Sequence, residues 1–271
     1  MELGVNVPNF GPGTNPARLR DWARVVEGLG YELLMVSDHV VVTPDVAEQY
    51  PEPFYEPFTT LSWLAGITER VRLGTTVLIA PYRHPLLTAR MTANLNALSG
   101  GRLVLGVGVG WARQEFAALG ADHAARGRRT DEVLAELQGL VPLWVGGSST
   151  AALRRTVRYG DAWHPLRRTV PALRAGLARM RGFAEQLGRP VPGFAPRILL
   201  RLTGEPLPDH DRIAGEGSID QVLRDLDVLR ELGAGSVVLD PFVGDPAETE
   251  RPETAWQALA TIAENWRRCD T

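Results

Sequence analysis

The segment VSDHVVV (36–42) places two ionisable side chains, Asp38 and His39, at the end of an apolar run. Histidine titrates near neutral pH, so at the edge of a site it can donate or accept a proton. Successive strand residues point to opposite faces, so only one of the two side chains can enter a site while the strand stays regular. Asp38 and His39 are therefore candidate catalytic residues. The alternative is a cap by Asp38 beside a surface histidine.

A second candidate segment, LVLGVGVGW (103–111), carries Gly106, Gly108 and Gly110 at every second position. This spacing puts the three glycines on one face of a strand. Glycine weakens a strand interior, so the pattern predicts that something flat or bulky approaches this face, or else a bulge or a tightly packed interior. A dinucleotide-binding loop is disfavoured, because GVGVGW lacks the GxGxxG spacing.

A third candidate is WVGGSST (144–150), which leads directly into a predicted helix. Backbone N–H groups, hydroxyls and the positive end of a helix converge there, which is typical of an anion site. Arg154 and Arg155 follow one turn later and could add positive charge. The alternative is a plain N-cap formed by Ser149 or Thr150.

Composition excludes several other kinds of chemistry. All 29 basic residues are arginine, so lysine Schiff bases, pyridoxal phosphate attachment and the P-loop are excluded. The five histidines show no metal-ligand spacing, so no metal site is expected. There is no GxSxG motif of a serine hydrolase.

Charge and hydropathy limit the kinds of partner and the cellular location that we expect. The net charge is -3 and no basic run occurs, so we expect no nucleic-acid partner. No apolar run reaches the roughly 18–20 residues of a membrane span, and no signal segment begins the chain. The single cysteine, Cys269, allows no internal disulfide. We expect a cytoplasmic protein without a membrane partner.

Eight strand-like runs alternate with amphipathic helical patterns, which predicts βα units and a parallel sheet. The runs are 3–8, 33–37, 71–79, 102–110, 142–147, 161–166, 197–204 and 236–241. We predict a single (β/α)8 TIM barrel domain over residues 1–271, with a doubly wound open sheet as the alternative. In such a barrel the functional residues lie at the carboxyl ends of the strands.

Two helices carry clear start signals. Asn15 and Pro16 form a cap and a first-turn proline, and an apolar stripe follows. Ser218 and Gln221 have capping-box spacing, which predicts a helix over 219–232 that stops at Gly233.

The chain resembles the bacterial luciferase-like flavin monooxygenase superfamily, and particularly its oxidoreductases that use the deazaflavin coenzyme F420. The segments that carry the resemblance are VSDHV (36–40), TERVRLGTTVLIAPYRHP (68–85), LSGGRLVLGVGVGWARQEFAALG (98–120), PLWVGGSSTAALRRTVRYGDAW (142–163) and GSIDQVLRDLDVLRELGAGSVVLD (217–240). The segment 98–120 is highly specific, whereas the Asp-His pair alone would be weak.

The resemblance implies a (β/α)8 barrel with a flavin or deazaflavin ring across its mouth. It implies a non-prolyl cis peptide bond between Thr76 and Val77, in a bulge that would support the ring. It also implies that Asp38 and His39 line the ring and the substrate, with His39 as the acid/base. The implied cofactor-binding residues are Thr76, Val77, Gly106, Gly108, Val109, Gly110, Gly146, Gly147, Ser148 and Ser149.

One departure from the family concerns the connection between strands 4 and 5. Family members carry a long excursion between the helix that matches 128–140 and the strand that matches 142–147, whereas here the two are almost fused. Because of this shortening, we do not expect the covering of the pocket and the dimer contacts on that side to follow those of the family. In addition, the GDGW of many relatives is GDAW here (160–163).

The expected function is hydride transfer between coenzyme F420 and a small organic substrate. One alternative is an FMN-dependent monooxygenase that uses reduced FMN and oxygen, which needs a reductase partner. Another is a non-enzymatic flavin-binding protein. The family further implies a homodimer. We expect the substrate pocket to draw on the segments 43–58 and 205–216, which carry no pattern specific to one molecule.

Overall fold

The computed structural model describes residues 1–269, with side chains up to residue 266. Strands and helices alternate along it, as the sequence predicts. The strands are β1 (Glu2–Asn6), β2 (Leu33–Val36), β3 (Arg72–Ile79), β4 (Leu103–Gly108), β5 (Leu143–Gly146), β6 (Ala162–His164), β7 (Gly193–Phe194), β8 (Arg197–Leu199), β9 (Arg201–Leu202), β10 (Glu216–Gly217) and β11 (Ser236–Asp240). The helices are α1 (Pro16–Gly28), α2 (Pro44–Ala47), α3 (Pro57–Ala65), α4 (Pro85–Leu98), α5 (Arg113–Ala118), α6 (Arg126–Leu137), α7 (Thr150–Tyr159), α8 (Val170–Leu187), α9 (Ile219–Glu231) and α10 (Glu253–Cys269).

The main sheet is parallel and curled. Its nine strands follow the order β7-β6-β5-β4-β3-β2-β1-β11-β8. The strands at the two ends of this order belong to one short segment, 193–199. The Ala195 N–H donates to Trp163 O at 2.9 Å, and the Val238 N–H donates to Pro196 O at 2.9 Å. The segment 193–199 thus bonds to β6 on one side and to β11 on the other.

The predicted seventh strand, 197–204, differs from the observed one. Pairing with β6 begins at Gly193, and after Leu199 the chain leaves the main sheet. Residues 201–202 pair instead with 216–217 in a separate two-stranded sheet. This is possible because Gly215 has no side chain: a Cβ there would lie 1.7 Å from Leu199 O.

The helix start signals are confirmed. The Asn15 side chain accepts from the Arg18 N–H at 3.0 Å, with Pro16 in the first turn of α1. Both halves of the capping box of Ser218 and Gln221 are present at the start of α9. Helix α9 ends at Glu231, one residue before the predicted end.

The link between α6 and β5 consists of residues 138–142 and contains no further element. Leu137, directly before the link, and Val141, within it, are buried in the core. Within residues 1–269, no helix combines the length and the apolar character needed to cross a bilayer.

Helix α8 packs closely on β6 through Trp163. This tryptophan is fully buried, and its indole N–H donates to Gly147 O at 2.7 Å. A Cβ on Gly176 of α8 would lie 2.1 Å from an indole carbon of Trp163. Glycine at position 176 therefore sets how near the helix comes to the sheet.

We predict opposite effects for two glycines of the same helix. Gly176→Ala should lower the free energy of unfolding by about 1–3 kcal/mol, because the added methyl group overlaps Trp163. The matched control Gly182→Ala, where the added methyl group would have no atom within 4 Å, should raise it by about 0.5–1 kcal/mol through helix propensity. Urea unfolding followed by tryptophan fluorescence measures both, and equal effects of the two substitutions would contradict the packing argument.

Candidate functional site

A cavity of about 320 Å³ opens at the carboxyl ends of the parallel strands. It is lined by Ser37, Asp38, His39, Tyr50, Thr76, Val77, Ile79, Gly108, Val109, Gly110, Trp111, Gly146, Gly147, His164, Leu166 and Arg197. Nine of the twelve predicted site residues are in this set, and Gly106, Ser148 and Ser149 are not. A larger cleft of about 640 Å³ beside α10 contains no predicted site residue.

Both members of the Asp-His pair reach the cavity. The sequence allows only one of the two side chains into a site while the strand stays regular, and this condition does not hold here, because β2 ends at Val36. Asp38 and His39 are both buried. The alternative of a surface histidine is therefore excluded.

The Asp38 carboxylate is fully engaged by other protein groups. Arg83 donates to its two oxygens at 2.6 and 2.9 Å, and the Ile79 N–H donates at 2.8 Å. Arg83 also bonds to Glu56 at 2.9 Å. Asp38 thus ties the loop after β2 to the end of β3. Its catalytic role stays a prediction.

His39 is held by a buried carboxylate from α5. His39 Nδ1 lies 2.6 Å from Oε2 of Glu115, a fully buried residue. A carboxylate only accepts, so Nδ1 carries the proton and Nε2 is left for a reactant. Glu115 Oε1 accepts from the N–H groups of Val40 and Val41 at 2.6 and 3.1 Å. The Tyr82 hydroxyl donates to Oε2 at 2.9 Å.

Glu115 is ionised in this environment. Burial acts to raise its pKa, but the hydrogen bonds from His39 and from the two backbone N–H groups outweigh burial and lower the pKa. Sequence reasoning missed Glu115. The available signal was a single carboxylate between Gln114 and Phe116, five residues after Gly110.

Aromatic rings surround the imidazole of His39. Tyr50 stacks on it with ring centroids 5.6 Å apart, and Phe54 and Trp111 contact it edge-on at 5.4 and 5.7 Å. Tyr50 and Phe54 come from the segment 43–58, as expected for a pocket-lining segment. No residue of the other expected segment, 205–216, lines this cavity.

The β3 strand carries the irregularity that the family resemblance implies. The Thr76–Val77 peptide bond is cis, and the pairing register with β4 shifts between Thr75 and Leu78. Two of the neighbouring glycines face this bulge. A Cβ on Gly108 would lie 2.5 Å from Val77, and one on Gly106 would lie 2.2 Å from Thr75 O. At Gly106, tight packing against β3 accounts for the missing side chain.

His164, which sequence reasoning did not select, lies beneath the bulge. Its Nδ1 contacts Ala195 O at 2.5 Å, so Nδ1 carries the proton. The Thr76 hydroxyl then donates to Nε2 at 2.8 Å. Burial, together with the charge of Arg197, lowers the pKa of His164 to about 4. His164 is therefore neutral near pH 7.

A buried arginine also holds the bulge. Arg197 donates to Thr76 O at 2.6 Å and to Asp240 at 2.8 and 3.1 Å. Asp240 additionally accepts from Arg167 at 2.7 and 3.0 Å and from Asn6 at 3.0 Å. Burial acts to raise the pKa of Asp240, but the two guanidinium groups outweigh it and lower the pKa.

The segment 146–150 forms the start of α7. Ser149 caps the helix by accepting from the Ala152 N–H at 3.1 Å, so the plain-cap alternative holds for this residue. Two exposed arginines approach the helix start: Arg168 donates to Ser148 at 3.3 Å, and Arg179 donates to Thr150 at 2.7 Å.

Arg154 and Arg155, which the sequence suggested as a source of positive charge at the start of α7, contact other groups. Arg155 bonds to Asp131 at 2.6 Å, and Arg154 lies over the ring of Phe183. Over the described part of the chain, no group of three or more His, Cys, Asp or Glu side chains could hold a metal ion.

We predict that His164 makes stability depend on pH. With a pKa lowered from 6.5 to about 4, folded His164 stays neutral where the unfolded residue is protonated. Below about pH 6.5 the unfolded state then binds more protons than the folded state. The free energy of unfolding therefore falls as the pH drops, by about 2 kcal/mol from pH 7 to pH 5.

Urea unfolding at both pH values tests this prediction. His164→Gln should flatten the dependence by that amount, and the exposed control His210→Gln should leave it unchanged. An NMR titration in which His164 takes up a proton at pH 6 or above would contradict the assignment.

The sequence model of the family described as luciferase-like monooxygenase matches residues 1–141. A phthiodiolone/phenolphthiodiolone dimycocerosates ketoreductase of Mycobacterium tuberculosis is 31% identical over 231 residues, covering 68% of this chain and 60% of the relative. The chain therefore spans less than two thirds of that relative's length.

Solved structures share the fold at low identity. An F420-dependent secondary alcohol dehydrogenase in complex with an F420–acetone adduct aligns with a TM-score of 0.72 at 15% identity, covering 95% of this chain and 98% of the other. The oxygenating constituent of 3,6-diketocamphane monooxygenase from Pseudomonas putida, in complex with FMN, aligns with a TM-score of 0.74 at 16% identity, covering 97% of each chain. The chain is a member of the luciferase-like monooxygenase family, whose model matches its first 141 residues.

Proposed function

We propose that the protein is an oxidoreductase that transfers a hydride between coenzyme F420 and a small organic substrate, with His39 as the acid/base. The observation that carries this proposal is the buried His39–Glu115 pair in the cavity wall, at 2.6 Å. An imidazole fixed through Nδ1 can exchange a proton at Nε2 with a bound hydroxyl or carbonyl oxygen.

We infer that the curled sheet is a (β/α)8 barrel and that residues 1–271 form one domain. The segment 193–199 would then count as the seventh barrel strand and β11 as the eighth. On this view the link 138–142 is the shortened connection between barrel strands 4 and 5. The cavity would then lie where barrel enzymes carry their active sites.

The cavity suits a flat heteroaromatic cofactor. Thr76 and Val77 form one wall, and the backbone from Gly108 to Gly110 lies beside them without side chains at two of three positions. Gly147 leads to the start of α7, where Arg168 is exposed and bonds only weakly to Ser148, at 3.3 Å. This positive corner would take the phosphate of the cofactor.

When bound, a deazaflavin supplies a carbon centre that accepts or donates a hydride. The residues of this chain do the remaining work. His39 takes the proton of a substrate hydroxyl at Nε2, or returns it to a carbonyl oxygen. Glu115 fixes the ring orientation and stabilises the imidazolium form. Tyr50 and Trp111 enclose the imidazole and limit access of water to it.

Two similar proteins support parts of this proposal by analogy. The ketoreductase is named for the reduction of a ketone, and the alcohol dehydrogenase that shares the fold is named as F420-dependent. The alternative is an FMN-dependent monooxygenase, favoured by the fold it shares with the FMN complex of the diketocamphane enzyme. This alternative would require a reductase that supplies reduced FMN.

Titration of the purified protein with oxidised F420 and with FMN decides between the cofactors. We expect F420 to bind with a Kd on the order of micromolar and FMN to bind at least tenfold more weakly, as measured by ligand fluorescence. The reverse order would favour the monooxygenase. Binding of neither ligand would remove both enzymatic functions.

His39→Ala should lower kcat by about 10²- to 10⁴-fold, because the general acid/base is lost. The Kd for the cofactor should change less than threefold. The control His210→Ala removes an exposed histidine and should have no effect. Unchanged turnover of His39→Ala would remove this residue from the chemistry.

Glu115→Gln should lower kcat by about 10- to 100-fold through loss of the charge that orients His39. The imidazole ¹⁵N chemical shifts of His39 should show that the Nδ1–H tautomer is no longer favoured, a change that a purely structural role would not produce. Glu132→Gln, at a position on α6 that does not line the cavity, is the control. Wild-type ¹⁵N shifts in Glu115→Gln would contradict the positioning role.

A further inference from the structure

Within the part of the chain that the structure describes, a cluster at the cavity carries one positive charge that no carboxylate neutralises by direct contact. Two guanidinium groups, of Arg167 and Arg197, bond to the single oxygen Oδ2 of Asp240. Asp240 is fully buried, and Arg197 is 5% exposed. The amide of Asn6 occupies the other carboxylate oxygen, at 3.0 Å. Arginine stays protonated in proteins, so the cluster of Arg167, Arg197 and Asp240 carries a net positive charge.

Neither of two other ionisable groups near this cluster bonds to its guanidinium groups. His164 is neutral, because its pKa is lowered to about 4 by burial and by Arg197. Glu248 interacts electrostatically with Arg167, and its carboxylate accepts from the Val243 N–H at 3.0 Å rather than from a guanidinium. The Arg167 side chain is 26% exposed, whereas Arg197 is buried, so Arg197 is the arginine held away from water, where a charge is costly unless it is balanced.

Of this cluster, Arg197 lines the cavity. Its Nη1 donates to Thr76 O at 2.6 Å, and the bonds to Asp240 use Nε and Nη2. Nη2 has two N–H groups and makes a single hydrogen bond, to Asp240, so one N–H remains for a ligand. A guanidinium in the cavity wall therefore keeps one N–H without a partner among the described residues.

Carboxyl groups gather near the other end of residues 76–79. Asp38, whose pKa is raised by burial, shares Arg83 with Glu56, so two carboxyl groups face one guanidinium. Glu115 is ionised and pairs with His39. The β3 segment spans both sides: the Thr76 carbonyl accepts from Arg197, and the Ile79 N–H donates to Asp38. The cavity is thus polarised along residues 76–79.

We propose that Arg197 stabilises the negative charge that a deazaflavin ring acquires on reduction. The inference rests on the proposed function and adds a residue and a direction of charge to it. In alcohol oxidation the C–H bond breaks and its hydride goes to the ring, while the O–H proton goes to His39 Nε2 and the C=O bond forms. The ring becomes anionic and His39 cationic. In the polarised cavity, Arg197 would stabilise the anionic ring and Glu115 would stabilise the cationic His39.

The test measures the midpoint potential of F420 bound to the wild-type protein and to charge variants. In Arg197→Gln the reduced cofactor should bind at least tenfold more weakly relative to the oxidised one, which is a fall of about 30 mV for a two-electron couple. Arg197→Lys, which keeps the charge, should recover at least half of this shift. The control Arg201→Gln, at an exposed arginine paired with Glu216, should leave the potential unchanged.

A variant of opposite sign separates charge from structural damage. Asp240→Asn removes a negative charge, so it should raise the potential, whereas damage to the site would move both variants in the same direction. This variant also keeps the proposal testable if Arg197→Gln does not fold.

The outcomes distinguish the two proposals. Normal F420 binding with unchanged potentials in Arg197→Gln and Asp240→Asn overturns the role of Arg197 and leaves the proposed function standing. An unchanged potential combined with weaker binding of a carboxylate-bearing substrate analogue also overturns it, and assigns Arg197 to substrate. Failure of wild-type protein to bind F420 removes the proposed function, and this inference with it.

Discussion

Each buried carboxylate near the cavity must have its oxygens hydrogen-bonded, and this constraint organises the strand ends. A buried, unpaired carboxylate would cost several kcal/mol, so its partners are held in fixed positions. Asp38, Glu115 and Asp240 are all buried, and each bonds to groups far away in sequence. Because a loop cannot move without leaving one of these groups unpaired, the loops that carry them are tied to one another. The cavity walls owe their fixed shape to these bonds.

The three carboxylates differ in what they hold. Asp38 holds a cation and a strand N–H, Glu115 holds an imidazole and a turn, and Asp240 holds two cations. Glu115 alone of the three holds an imidazole, a side chain that can take up or release a proton at its second ring nitrogen. Asp38 and Asp240 instead hold guanidinium groups, which stay protonated.

Much of the fold followed from local patterns in the sequence. The strand-helix alternation, the caps of α1 and α9, and the place of residues 38–39 and 108–110 at one end of the sheet could all be predicted, whereas the part played by residues 76–77 came from the family resemblance. The cis peptide bond at Thr76–Val77 was available only through family resemblance. No periodicity in the sequence indicates it.

The partners of the site residues could not be predicted, for a physical reason. His39 and Glu115 are 76 positions apart, and Arg197 and Thr76 are 121 apart. Such pairs are set by how parallel strands are placed beside one another, and an isolated Glu or Arg gives no sign of its partner. The glycine pattern shows the same limit. It correctly indicated close approach, yet at Gly106 the approaching group is the chain's own β3 rather than a ligand.

The origin of the aromatic wall has an evolutionary consequence. Tyr50 and Phe54 contact His39 through their rings alone, whereas the hydrogen bond that fixes His39 comes from α5. Tyr50 and Phe54 can therefore be substituted while His39 keeps its hydrogen bond to Glu115. The segment 43–58 also carries Asp45, which accepts from the Gln114 N–H of α5, and Glu56, which bonds to Arg83, so these two carboxylates have to be kept. A library at positions 50 and 54 is the natural starting point for changing the cavity wall by directed evolution.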